Sequence, residues 1–582
     1  MSQGSADKHE LVVRRIPAVG TRELRHRVLW PHKPSPDVCV IDIDEAPGAL
    51  HLGAFVEGEV PWGIEVPGFE GRLVGACSLF DQHCDRVAVP WAEGRDVRLR
   101  VMGTLPEVRG WGAGAAIILR AAEEVRAQGR DVLWCDAREV VFGFYARMGF
   151  VFLNDTYDIP DIGPHRTMAL DLSSRPHLNL GSRPSISRKG QAMPDSPIRK
   201  LAPFATAAKE AGKRVIHLNI GQPDIATPQV ALDAVRQDTR TVIEYSPSEG
   251  FASYREGLAK YYQSVQVDVT ADDILVTTGG SEALVFAFMS CLDPGDEVII
   301  PEPFYANYNG FAQMAGVEVV PVTAHIDQGF ALPPIEDFAA KINDKTKAIL
   351  LCNPGNPTGT VYAPEALDAL AQLVKDHDLY LFADEVYREF CYDGAKPKSV
   401  MQLPGLEENV VLVDSVSKRY SMCGARIGAL VTKNRAVRKA AMKFAMARLS
   451  PPTLAQVASE AALDTSAAYF EEVRDTYVAR RNALVEGLRA IPGVKVPTPG
   501  GAFYAVCELP IDNADAFCQW MLEHFDLEGD TVMMAPATGF YATAGAGTKQ
   551  VRIAYVLEVA LIERAVACLN AALQAYPGRR EA

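Results

Sequence analysis

Along most of the chain, short runs of aliphatic and β-branched residues alternate with longer stretches whose apolar positions recur every three to four residues. Residues 273–277 (DILVT), 282–291 and 297–300 (EVII) show the pattern: a compact apolar run, an amphipathic stretch, then another compact run. These periods predict strand, helix and strand, and their repetition predicts an α/β architecture. From 172 to 190 (LSSRPHLNLGSRPSISRKG) the periodicity disappears and Ser, Pro, Arg and Gly dominate, as in an exposed linker. The chain is therefore expected to divide into a domain at 1–172, a linker at 173–190 and a larger segment at 191–582. No internal repeat or low-complexity tract interrupts this order.

Length and charge narrow the picture. A chain of 582 residues exceeds what one hydrophobic core organises, and 48% hydrophobic with 23% charged residues is ordinary globular composition. A net charge of −15 disfavours a nucleic-acid partner, because phosphate binding needs a basic surface. The first thirty residues hold no continuous apolar core, so neither a secretory nor a transit leader is expected. No stretch approaches the roughly twenty apolar residues of a membrane span, and the cytosol is the expected compartment. Eleven cysteines lack CxxC spacing; Cys77 and Cys84 are expected to be reduced, and no metal site is expected.

The segment 191–582 carries a constellation. Lys418 stands in DSVSKRYSMCGARIG after the apolar run NVVLVDS, with Ser415 three residues before it and Arg426 eight after. Alone, this would better suit a surface loop lysine. Upstream, YLFADEVY reads as a strand ending in Asp384, with Tyr387 three positions on. A carboxylate buried there stays ionised only against a cation, unless it caps a helix. LLCNPGNPTG joins a strand to a rigid Pro/Gly turn that projects Asn356, which with Tyr387 would donate to a phenolate oxygen. TTGGSEAL (277–284) predicts a strand followed by a helix whose first free N–H groups belong to Gly279, Gly280 and Ser281. Such a helix start binds phosphate, and Ser415 and Arg426 would complete an anion site. These are the parts a phosphorylated aldehyde cofactor requires.

Together with NIGQPD (219–224), EYSPSEG (244–250), PEPFYANY (301–308), DEVYREF (384–390) and VRIAYV (551–556), these motifs make residues 191–582 resemble a fold-type-I, class I aminotransferase of the aspartate aminotransferase family. The resemblance implies a large α/β domain with a mostly parallel sheet, a smaller α/β domain, and pyridoxal 5′-phosphate as cofactor. It implies that Lys418 holds the cofactor and shuttles the proton, and that Asp384 meets the ring nitrogen. Asn356 and Tyr387 would meet the phenolic oxygen, and Tyr305 would stack on the ring. Tyr245 would reach the phosphate of a neighbouring subunit, so a homodimer is implied. Arg552 would clamp the substrate α-carboxylate with Gly221 beside it, and Arg448, in KFAMARLSPPT, would help select the distal end, from a segment that in such relatives reaches the partner's active site. Ser281 stands where some relatives carry a lysine for a distal carboxylate, so the resemblance does not carry a preference for aspartate.

In the first third, VRLRVMGTLPEVRGWGAGAAIILRAAEEV (97–125) predicts a strand, a glycine-rich turn and a helix. Glycines 110, 112 and 114 let backbone approach a ligand closely, as a pyrophosphate cradle requires, although an ordinary strand-to-helix loop reads the same way. DVLWCDA and FGFYARMGF follow as strand and helix, with Tyr145 either a core aromatic or a functional phenol. Residues 9–172 resemble the GNAT acyltransferase family, of mixed α/β fold. That implies acetyl-CoA as co-substrate, with Arg109, Gly110, Gly112 and Gly114 around its pyrophosphate. Met102 and Thr104 would lie along its pantetheine arm, and Tyr145 would protonate the leaving thiolate. No motif fixes a general base; Glu107, Asp81 and His83 are candidates by chemistry alone.

The expected function is a bifunctional enzyme that transaminates between an amino acid and a 2-oxo acid and transfers an acetyl group to an amine. A lyase or decarboxylase using the same lysine is the alternative within the fold. A sensor without turnover would need a basic DNA-binding face that the sequence lacks.

Overall fold

The computed structural model describes residues 11–57, 62–159, 162–173, 186–194, 196–197 and 199–580. The chain forms two compact units, Met1–Ile186 and Ser187–Ala582. Most of the expected linker, 174–185, lies outside the described residues. Its last part is not irregular: Ser187 caps a short helix, Arg188–Ala192, its hydroxyl accepting from the Gly190 N–H at 3.0 Å.

The first unit is built on a sheet with strands in the order Leu11–Ile16, Leu50–Val56, Arg72–Phe80, Asp96–Thr104, Val132–Arg138, Gly163–Asp171 and Val151–Phe152. Tyr157–Ile159 also pairs with Gly163–Asp171. Neighbours are antiparallel with one exception. Asp96–Thr104 and Val132–Arg138 run parallel and pair only at Asp96–Val132, Val97–Leu133 and Arg98–Trp134. Past Arg98 the pairing stops. Val101 has a φ of 47°, and the register against Arg72–Phe80 slips between Ala76 and Ser78, so a bulge turns the strand away from its parallel neighbour. The helix Ala113–Ala127 covers one face, because its apolar positions 117, 118, 121, 122 and 125 fall on one stripe. Ile117, Ile118 and Val125 are fully buried against Leu52, Leu73 and Leu99, each contributing about 1.5–3 kcal/mol.

The second unit centres on a seven-stranded sheet: Ile274–Thr277, Gly428–Val431, Val410–Ser415, Tyr380–Asp384, Thr346–Cys352, Glu297–Glu302 and Glu318–Thr323. The last five are mutually parallel, and Gly428–Val431 runs antiparallel to both of its neighbours. The parallel strands are near-continuous apolar runs because helices cover both faces; Leu412, Phe382 and Ile349 are fully buried. Their carboxyl ends bring Ser415, Asp384 and Asn353 to one edge, where open α/β sheets bind ligands. A smaller layer joins Tyr504–Glu508, Gln550–Ala554 and Ala535–Pro536 to the helices Ala514–His524 and Val559–Ala575. There Arg214–His217 pairs in parallel with Asp530–Met533, and Arg214 and Arg564 both donate to Asp530. Hydrogen bonding by Arg214 pulls the Asp530 pKa down to about 2.

Candidate active site

A cavity of about 560 Å³ opens at the carboxyl edge of the parallel strands. Lys418 enters it from the turn after Val410–Ser415, and its Nζ donates to the Gly221 carbonyl at 2.9 Å and lies 3.6 Å from Cys423 Sγ. Ser415 caps that turn: its Oγ accepts from the Ser417 N–H and donates to the Ile427 carbonyl at 2.9 Å. Asp384 lies at the end of its strand with no helix after it, so it is not a helix cap. It is buried, accepts from the Tyr308 hydroxyl at 2.8 Å and more weakly from the Val386 N–H at 3.4 Å, and has no ion-pair partner among the described residues. Burial pushes its pKa up to about 6, against the pull of the Tyr308 hydrogen bond. A carboxylate in that condition gains from a cationic ring N–H placed against it.

On the opposite side, the Tyr387 hydroxyl lies 3.4 Å from Asn356 Nδ2 and 3.1 Å from the Tyr504 hydroxyl. The Tyr305 ring lines the cavity. At the remaining end, Ser281 and Gly280 line it with Arg426, from the first turn of the helix Gly279–Cys291. Gly279 has a φ of +77°, and a Cβ there would fall 2.4 Å from Arg426 Nη2, so only glycine admits the guanidinium over the helix start. Arg552 is 1% exposed. Its guanidinium donates to the Asn219 carbonyl and to Asn356 Oδ1 at 3.4 Å, lies between the Tyr504 and Phe540 rings, and leaves Nε without a partner. Burial lowers its pKa from the ordinary value, opposed by the nearby tyrosines Tyr504, Tyr387 and Tyr305. A buried guanidinium without a carboxylate is a receptor for one.

Residues 213–569 match the family described as aminotransferase class I and II. The chain belongs to that family. An aspartate/prephenate aminotransferase of Thermus thermophilus is 35% identical over 328 residues, spanning 56% of this chain and 84% of the relative. An aspartate aminotransferase of Bacillus subtilis is 32% identical over 391 residues, spanning 66% and 97%. Among solved structures, the Thermus thermophilus aspartate aminotransferase with maleate has a TM-score of 0.62 at 32% identity, covering 67% of this chain and all of that one (100%). An alanine aminotransferase from Pyrococcus furiosus has a TM-score of 0.62 at 28% identity, covering 67% and 100%. Aminotransferases of this class are expected to use pyridoxal phosphate, and the residues fit it. The cavity offers a lysine amine, an unpaired buried carboxylate, two donors facing one side, and a glycine-opened helix start beside Arg426.

Two residues expected to act on a neighbouring subunit's site, Tyr245 and Arg448, do not line this chain's own cavity. Tyr245 is 79% exposed and does not line its own chain's cavity. Arg448 lies outside the cavity as well: its Nη2 donates to the Ser248 carbonyl at 3.1 Å and the Val276 carbonyl at 3.4 Å, and its Nε is 3.7 Å from Glu282. The backbone at Leu449, with a φ of 84°, turns the chain sharply just after it. Gly221 is not a direct neighbour of the Arg552 hydrogen bonds; its carbonyl accepts from Lys418, and a Cβ there would overlap the Tyr504 hydroxyl at 1.9 Å. Tyr308, Tyr504, Cys423 and Asn219 are site residues that the sequence did not single out. Tyr308 had a local signal, one helical turn after Tyr305 in the same motif. Tyr504 had none, because its partner Tyr387 is 117 positions away.

In the first unit, Gly110 and Gly112 have φ of 87° and 92° and precede the helix Ala113–Ala127. The reason for Gly114 differs from ligand approach alone, since a Cβ there would press on the Phe144 ring at 3.2 Å. Met102 and Thr104 lie on the part of their strand that has left its parallel neighbour. Tyr145 is buried among Phe144 and Phe150, and its hydroxyl donates to the soft Met102 Sδ at 3.6 Å and also lies against the buried Cys135 thiol. Burial raises its pKa well above the ordinary phenol value. Asp81 and His83 follow the strand Arg72–Phe80. Phe80 pairs with Arg98 whereas Gly75 pairs with Thr104, so both residues sit at the end of the sheet away from the glycine turn. Asp81 is taken by Arg130, and His83 by Asp96 at 2.8 Å. Glu107 is exposed in the short helix Pro106–Val108.

Proposed function

We propose that the protein is a bifunctional enzyme in which the second unit exchanges an amino group between an amino acid and a 2-oxo acid, and the first unit acetylates an amine. The observation that carries the first half is the convergence of Lys418, Asp384 and the unpaired Arg552 in one cavity. Bound pyridoxal phosphate supplies an electron sink that acidifies the substrate Cα–H. Lys418 would hold it and carry the proton between Cα and the carbonyl-derived carbon. Asp384 would keep the ring nitrogen protonated, while Asn356 and Tyr387 would donate to the phenolic oxygen. Ser415, Arg426 and the N–H groups of Gly279, Gly280 and Ser281 would hold the phosphate, and Tyr305 would cover the ring. Arg552 would fix the α-carboxylate so that Cα faces Lys418. The exposed Tyr245 supports a homodimer in which it serves a neighbouring subunit's phosphate.

The acetyltransferase half rests on three features of the first unit: the parted parallel strands, the bulge at Val101 and the left-handed glycine turn before a helix. Acetyl-CoA would be the co-substrate there, with Tyr145 the proton donor to the departing thiolate. The chemistry links the halves. Transamination makes a primary amine, acetylation consumes one, and removal of the amine draws the reversible first step forward. The test supplies an oxo acid, an amino donor and acetyl-CoA to the full chain and follows the new amine by mass. Accumulation of that amine unacetylated, while unrelated amines are acetylated efficiently, refutes the linkage.

A further inference from the structure

Of the groups that transamination needs, the Lys418 amine is the one that must both take up and release a proton, so its contacts decide how it works. It donates to the Gly221 carbonyl at 2.9 Å and lies 3.6 Å from the Cys423 sulfur. Among the described residues no carboxylate forms an ion pair with it. The Phe503 ring centroid, 5.8 Å away, is at the limit of cation–π attraction. We infer that Cys423 is a positioning residue for Lys418: its sulfur turns the free amine toward one wall of the cavity and leaves it ready to lose a proton. The inference deepens the transamination reading and rests on it for the identity of the reacting amine.

The chain doubles back to make this contact. Ser421 and Arg426 both have left-handed backbone, with φ of 52° and 55°, and the short helix Cys423–Ala425 lies between them. Cys423, half-buried, thereby lines the same cavity as the lysine five positions earlier. Its thiol donates to the Ser417 carbonyl at 3.1 Å. A thiol has one hydrogen, so with that hydrogen committed the sulfur faces Lys418 as an acceptor. The anchor is itself held, because the Ser415 hydroxyl donates to the Ser417 hydroxyl at 2.7 Å. The Cys423 carbonyl accepts from Arg426 Nη1 at 2.9 Å, so one residue steadies both the lysine and the arginine of the anion site. Lysine has a flexible four-carbon stem, and one acceptor fixes its tip poorly. Two acceptors from separate segments, Gly221 and Cys423, give it a direction. Sulfur suits the second place because it accepts weakly. A hydroxyl there would hold the protonated amine more firmly, and a proton carrier has to let go.

The experiment measures the Lys418 amine in the cofactor-free full chain. Brief acetic anhydride treatment at pH 7.5 is followed by peptide mass spectrometry, with the exposed Lys345 as internal reference. Cys423→Ala removes an acceptor of the protonated form and should raise Lys418 acetylation about threefold, whereas Cys423→Ser supplies a stronger one and should lower it about threefold. A residue that only fills space gives no such opposition, since improved access raises both. In the loaded enzyme the acid limb of the kcat profile should move to lower pH in Cys423→Ala and to higher pH in Cys423→Ser, with KM for the amino donor little changed. Lys418 reactivity that moves the same way in both variants, or in neither, overturns the assignment. The predicted opposition in a chain that exchanges no amino groups would instead refute the transamination reading and leave the contact standing.

Discussion

The turn at Gly110–Gly112 and the turn at Gly279–Gly280 both lead from a strand into a helix, and they differ in what surrounds the missing side chains. A Cβ on Gly110 or Gly112 would meet nothing within 4 Å, so these glycines are required by their left-handed backbone and not by crowding. At Gly279 the backbone is left-handed too, but the space of the absent side chain is filled by Arg426. The first turn is an open rim with no side chain over its glycines. The second is a cradle assembled with its cation in place before any phosphate arrives, which is what preorganised anion binding requires. Similar sequence punctuation thus produces two degrees of readiness.

The largest test of the contrast is Lys418→Ala. Transamination should fall by about 10⁴-fold, with the visible absorbance of the bound cofactor lost, while the acetylation proposed for the first unit should be unaffected. A variant that still transaminates at the original rate would remove the lysine from the chemistry. Next is Asp384. Its folded pKa of about 6 lies above that of a carboxylate in the unfolded chain. The folded, cofactor-free protein therefore holds a proton there that the unfolded chain has released between about pH 4 and about pH 6. Stability should fall as pH rises through that window, by roughly 3 kcal/mol, and level off above it. Asp384→Asn should abolish this slope in denaturant titrations; an identical slope in the variant assigns it to other groups.

Tyr145→Phe probes the other unit. The proposed acetylation should drop by about 10²-fold while transamination and the cofactor spectrum are unaffected. Full acetylation in this variant returns Tyr145 to a packing role. The smallest effect sharpens the glycine comparison directly. Gly112→Ala should cost about 1 kcal/mol, from the left-handed backbone alone, when unfolding of the first unit is followed by denaturant. Gly279→Ala should cost more, because its Cβ must also displace Arg426; equal losses would show that the occupied space does not matter.

How much of this was legible in the sequence depended on range. Lys418, Asp384, Asn356 and the helix start at Gly280 and Ser281 sit in compact motifs with strand and turn signals, and all of them line the cavity. The mostly parallel sheet was legible for the same reason, since buried parallel strands are unbroken apolar runs. Arg448 and Arg199 show the limit. Both are arginines near prolines, and which of them lines the cavity is decided by the contacts of Pro197 with Gly539, Lys200 with Asp515 and Arg448 with Ser248, none of them local. The bulge at Val101 was equally hidden, because it is a register slip between two strands and leaves no mark in the residues of either.

The pairing of Arg214–His217 with Asp530–Met533 has a consequence for synthesis. The Arg214–Asp530 contact spans 316 positions, so the second unit's small layer cannot close until almost all of the chain has left the ribosome. The sheet of the first unit, by contrast, draws every one of its strands from residues translated before that segment begins. During translation the first unit can be finished and native while its successor is still an open chain with an unmatched edge. A nascent protein halted near residue 500 would thus carry a completed amino-terminal fold and an aminotransferase that has not yet acquired Arg552.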